Sequence, residues 1–114
     1  MIPEITVAAL SEKLQSQDTF IVLDVREPME LDRARITDDR VLVTPMSRLA
    51  REGLNALPDS AKDQEAAVYV LCHHGNRSGQ VTAWLAQQGW KNVSSVRGGI
   101  DEFARKIDNT IGFY

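Results

Sequence analysis

The chain's only cysteine, Cys72, is its strongest candidate nucleophile, and the residues that follow decide what it could do. They read His73-His74-Gly75-Asn76-Arg77-Ser78. A thiol reacts as its thiolate, which helix N-termini and neighbouring cations favour. Backbone N–H groups from His73 to Ser78 are expected to curl round the sulfur, with the positive end of a following helix pointing inward. Gly75 gives that turn conformational freedom, and Arg77 brings a permanent charge on a planar fork of donors. Ser78 is expected to cap the helix with its hydroxyl facing the pocket. Such a loop would hold a thiolate, an anionic substrate or a charged sulfur intermediate. A solitary cysteine at a strand end is otherwise commonly a small buried hydrophobe. His73 and His74 raise the question of a metal, but three adjacent residues do not converge easily on one ion. No further cysteine or histidine exists to complete a set, so no metal is expected. The two histidines are read as loop residues that shape the pocket mouth.

The flanking segments must position this loop. Residues 67–72 form a short, β-favouring apolar run, which predicts a buried strand. After the loop, Val81, Trp84 and Leu85 lie at helical spacing and Gly89 provides a stop. Earlier in the chain, 5–7 predicts a very short strand leading into a helix over 7–15, with Leu10 and Leu14 on one face. Residues 20–25 predict a second buried strand, stopped by Arg26-Glu27-Pro28, and Pro28 suits the first turn of a short helix. A third strand is expected at 41–43, then a helix capped by Ser47 and running through Leu57. Residues 59–65 read as a surface loop, 92–96 as a fifth strand, and 100–107 as a helix with Ile100, Phe103, Ala104 and Ile107 inward. Residues 108–114 show no periodicity and read as an ordered or fraying tail. Alternating strands and helices imply an α/β fold with a parallel sheet covered on both faces. Ligands bind at the carboxyl ends of such strands. Cys72, the segment 24–27 and the segment 97–99 all fall on that rim.

At 114 residues the chain is expected to be a single domain over 1–114. Hydrophobic content of 43% with 25% charged residues is that of an ordinary soluble protein. A net charge of −3, without a basic stripe, argues against nucleic-acid binding. No apolar run approaches the roughly 20 residues that cross a bilayer, so no membrane partner is expected. The N-terminus shows no secretory signal pattern, and a lone cysteine fits a reducing compartment, so a cytoplasmic location is expected.

The run Cys72-His73-His74-Gly75-Asn76-Arg77-Ser78 resembles the active-site loop of rhodanese-domain sulfurtransferases. Leu23-Asp24-Val25-Arg26-Glu27-Pro28 is similar to the family's signature after its second strand. Val96-Arg97-Gly98-Gly99-Ile100 is similar to the glycine pair after its last. The resemblance covers nearly the whole chain and implies a rhodanese-like three-layer fold with a mostly parallel five-stranded sheet. It also implies catalysis through a Cys72 persulfide without any cofactor. Cys72 would take a sulfane sulfur from thiosulfate or a related persulfide, a small anionic donor, and pass it to cyanide, an external thiol or a protein acceptor. With no second cysteine, the acceptor must lie outside the chain. His73, His74, Gly75, Asn76, Arg77 and Ser78 would bind the donor. Asp24 and Arg26 would brace the rim, and Arg97 would help attract an anion. One departure lies at 34–40, Ala34-Arg35-Ile36-Thr37-Asp38-Asp39-Arg40, where the family shows a glycine-histidine turn and a later glycine. The rivals are a non-catalytic binding or regulatory module on the same fold, and a cysteine-dependent phosphatase or arsenate reductase. The latter commonly place five residues between cysteine and arginine; here there are four, a tighter ring suited to a sulfur atom.

Overall fold

The structure, a computed structural model, describes residues 2–114. Five parallel strands form one sheet in the order β1-β5-β4-β2-β3: β1 (Glu4–Ile5), β2 (Ile21–Asp24), β3 (Val41–Val43), β4 (Val68–Leu71) and β5 (Val93–Val96). Four α-helices connect them, α1 (Val7–Leu14), α2 (Pro28–Leu31), α3 (Met46–Glu52) and α4 (Asn76–Gln87), and α5 (Gly99–Lys106) follows the last strand. Because both sheet faces are covered, the central strands are apolar on both sides, and their pleat divides them between two cores. Ile21 and Leu23 of β2 and Val68 and Val70 of β4 point to one face, where they meet Leu49 of α3 and Val81 and Leu85 of α4. Phe20, Val22, Leu71 and Val96 point to the other, against Val7 and Leu10 of α1 and Ile100 and Phe103 of α5. The three-layer parallel α/β architecture expected from the sequence is present.

Several boundaries differ. The first strand is Glu4–Ile5, because the Thr6 side chain accepts from Ala9 N–H and caps α1, which draws Val7 into the helix. The helix expected through Leu57 ends at Glu52. Gly53 adopts φ +64° and a 3₁₀ turn follows at Gly53–Ala56, while Pro45 rather than Ser47 stands at the N-cap. Ser47 is instead bound to Glu27 from its hydroxyl and its N–H. The segment 59–65 contains a 3₁₀ turn at Asp59–Ala61, whose buried Ala61 carbonyl accepts from the Trp90 indole at 2.8 Å. The atypical 34–40 segment packs inward through Ala34 and Ile36. Arg40 closes it by donating to the carbonyls of Leu14, Ser16 and Asp18. Among the described residues, no helix is long and apolar enough to cross a membrane.

Candidate active site

Pairing of β4 between β2 and β5 brings the expected rim together. Cys72 follows directly on β4, in the middle of the sheet, with a side chain only 1% exposed. The next three residues turn tightly, and Gly75 adopts φ +111°, a left-handed conformation that L side chains rarely take. That turn aims two main-chain donors at the sulfur. Gly75 N–H lies 3.1 Å from Cys72 Sγ and Ser78 N–H 3.3 Å. Both precede or open α4, so the positive end of a twelve-residue helix faces the same atom. Donors fixed in this way favour negative charge on sulfur without needing to reorganise.

Ser78 differs from its expected role. Gly75 occupies the N-cap position, and Ser78 lies inside the first turn, fully buried. Its hydroxyl contacts Cys72 Sγ at 3.3 Å, Gly75 O at 3.1 Å and the Ser95 hydroxyl at 2.7 Å. Ser95 thus joins the floor of the site from β5. The sequence signal for it was a polar residue inside an otherwise buried strand.

The loop is locked from the far side by the glycine pair. Gly99 has φ +62°, and its backbone runs against the loop so closely that Ile100 N–H reaches Cys72 O at 2.9 Å and Asp101 N–H reaches His73 O at 3.0 Å. Those bonds use the free N–H groups of the first turn of α5 to hold the carbonyls of the cysteine loop.

Arg77 lies on α4 just past the loop, but its fork does not point free into the pocket. Both terminal nitrogens donate to Glu30 of α2, at 2.7 and 2.8 Å. Glu30 also accepts from Glu27 N–H at 2.8 Å and from the Tyr114 hydroxyl at 2.9 Å. The hydrogen bond from Arg77 is the main reason that its carboxyl is held at about 2, against desolvation that works the other way. The same bond holds the Arg77 guanidinium above its usual value, and the nearby Cys72 charge adds to this.

Asp24 and Arg26 form a buried pair, with side chains 1% and 0% exposed and 2.8 Å between Nη2 and Oδ2. Arg26 also donates to Ala34 O at 2.8 Å and to the Tyr114 hydroxyl at 3.2 Å. The pair therefore fixes the β2 end, the atypical segment and the tail to one point. Breaking a buried pair leaves a charge without compensation, so Asp24→Ala is expected to destabilise the fold by about 3–5 kcal/mol. Chemical denaturation checks this; a loss below about 1 kcal/mol would place the pair among ordinary surface contacts.

Tyr114, in the tail, gave no sequence signal. Its ring stacks on His73 with centroids 3.7 Å apart, and His73 Nε2 lies 2.8 Å from the Tyr114 carbonyl oxygen. A carbonyl only accepts, so Nε2 carries the proton. Burial, and next the charge of His74, keep His73 below its ordinary pKa. His74 is exposed and lies 3.7 Å from Asp101. The potential ligand atoms of His73, His74 and Asp101 lie within 4.8 Å of one another, but the Asp101 carboxylate already carries Arg105 at 2.6 Å. Asn76 begins α4 at the surface. Arg97 is 64% exposed and faces Glu4 at 3.4 Å.

The rhodanese-like domain profile matches residues 6–106, and the chain belongs to that family. It is 35% identical to a sulfurtransferase of Allochromatium vinosum, over 92% of this chain and 91% of that protein. It is also 34% identical to Rhodanese-like/PpiC domain-containing protein 12, chloroplastic, of Arabidopsis thaliana, but spans only 38% of that protein's length. Among solved structures, a rhodanese-related protein of Thermoplasma volcanium superposes with a TM-score of 0.73 at 33% identity, covering 92% of this chain and 93% of that one.

Proposed function

We propose that this protein is a sulfurtransferase in which Cys72 carries a sulfane sulfur as a persulfide, taken from thiosulfate or a related persulfide and passed to an external thiol, cyanide or a protein. The observation that carries this reading is the pair of N–H donors from Gly75 and Ser78 on Cys72 Sγ. They favour the thiolate that attacks the donor, and they face the position where charge collects as the outer sulfur is bound. Cys72 is the nucleophile. The loop from His73 to Ser78 encloses the transferred atom, Asp24 and Arg26 brace the rim, and Arg97 stands at its edge. No cofactor is needed, because the sulfur atom passes from donor to thiolate and on to a nucleophilic acceptor by successive displacements. A single thiol that must stay reduced to act suits the cytoplasm.

A cysteine phosphatase would use the same physics, but Arg77 is committed to Glu30 rather than open to the oxygens of a phosphate. The two readings separate in one assay. Turnover is expected from a sulfane donor to cyanide or a small thiol, with no release of phosphate from an aryl phosphate. Phosphatase turnover without sulfur transfer would reverse the assignment.

A further inference from the structure

Four arginines at or near the carboxyl edge of the sheet are paired with carboxylates. Arg26 is paired with Asp24, Arg77 with Glu30, Arg97 with Glu4 and Arg105 with Asp101. Glu27 adds a carboxylate whose partners are the neutral Ser47 hydroxyl and N–H. His73, beside the sulfur, is kept toward its neutral form by burial. Arg77 follows the cysteine loop on α4, and its charge is cancelled by Glu30. Its fork is bidentate on Glu30, and Glu30 is pinned in turn by Glu27 N–H and the Tyr114 hydroxyl. An arginine clamped in this way offers a donor little net positive field.

We propose that Glu30 is a specificity-determining residue, which cancels Arg77 and so makes the Cys72 pocket select low-charge persulfides over the thiosulfate dianion. This rests on the sulfur-transfer reading. With a persulfide R–S–SH, the Cys72 thiolate attacks the outer sulfur, the donor S–S bond breaks and its electron pair leaves on R–S⁻. The outer sulfur keeps its proton and becomes Cys72–S–SH. With thiosulfate the same displacement expels sulfite and leaves Cys72–S–S⁻. Atoms and charge balance in both, and neither requires an external oxidant or reductant. They differ in what approaches the buried thiolate: two negative charges for thiosulfate, none for the protonated persulfide.

The test compares thiosulfate with 2-hydroxyethyl persulfide, which has no other ionising group, using cyanide as acceptor. Glu30→Gln keeps the shape and an acceptor for Glu27 N–H while removing the charge. It should raise kcat/KM for thiosulfate by about tenfold, mainly through KM, and change the persulfide value by less than about twofold. The ratio of Cys72 alkylation rates by iodoacetate and iodoacetamide should rise in the same variant, since it reads the local field without any sulfur transfer. A measurement on the unaltered protein needs no variant to fold: kcat/KM for thiosulfate should stay level or rise with ionic strength, because screening weakens repulsion. An unchanged donor ratio and alkylation ratio in Glu30→Gln, or a thiosulfate rate that falls steeply with salt, would overturn the proposal. If neither donor loads Cys72, the sulfur-transfer reading fails, and the alkylation ratio still decides the role of Glu30.

Discussion

Cys72→Ser is expected to abolish sulfur transfer, with kcat/KM falling on the order of 10³-fold or more. The hydroxyl of serine stays protonated where a thiol can ionise, and oxygen is a poor nucleophile toward sulfane sulfur. The fold should be retained. The side chain sits in a closed slot with two N–H donors at 3.1 and 3.3 Å, and a serine oxygen accepts such bonds as well as sulfur does. A change in stability of about 1 kcal/mol or less is therefore expected, measured by denaturant titration. Retained turnover in Cys72→Ser would move the nucleophile elsewhere. A collapsed fold would show that the thiol acts chiefly as core.

Gly99→Ala is expected to be nearly as damaging, although residue 99 touches no reacting atom. An added Cβ would come within 2.5 Å of Cys72 O and closer still to His73 O. Both are main-chain atoms, so no side chain can swing aside. The φ of +62° adds about 1–2 kcal/mol of strain for any residue with a Cβ. To relieve the contact the cysteine loop must retreat, breaking the bonds from Ile100 N–H and Asp101 N–H and shifting the donors on Sγ. We expect a stability loss of about 3 kcal/mol or more and an activity loss beyond about tenfold in whatever fraction folds. Gly98→Ala is the control. Its Cβ would come within 2.7 Å of Glu102 Cβ and 2.8 Å of that side chain's carboxyl end, so α5 must give way there while the cysteine loop stays in place. Equal activity losses in the two variants would mean that the glycine pair serves the backbone of α5 rather than the loop.

The comparison of these glycines shows how much of the site was legible in the sequence. Strands 67–72 and 20–25 were visible because burial on both faces leaves an unbroken apolar run, and the loop after Cys72 was visible because its polarity interrupts that run. Chain order placed three polar segments on one edge, where parallel pairing brings them together. What escaped was the pairing of side chains. Arg77 reads as a free cation in sequence, and only the position of α2 reveals that Glu30 occupies its fork. Ser95 appears as one of two serines in a strand until the pleat turns it toward Ser78. Tyr114 follows a stretch with no periodicity, yet it joins Arg26, Glu30 and His73. Boundaries failed where local backbone geometry outweighed pattern: the Thr6 hydrogen bond that caps α1 and the positive φ of Gly53 at the end of α3. Apolar period therefore located the scaffold, while the electrostatics of the site depended on contacts between residues far apart in the chain.

Sulfur transfer by this protein depends on Cys72 holding a second sulfur atom, and intact-protein mass spectrometry under non-reducing conditions observes that species directly. After incubation with a sulfane donor and removal of excess reagent, the mass should increase by one sulfur atom, on Cys72 alone, and return to its starting value when cyanide or a thiol is added. No increase with either thiosulfate or a small persulfide, or the same increase on Cys72→Ser, would contradict the account.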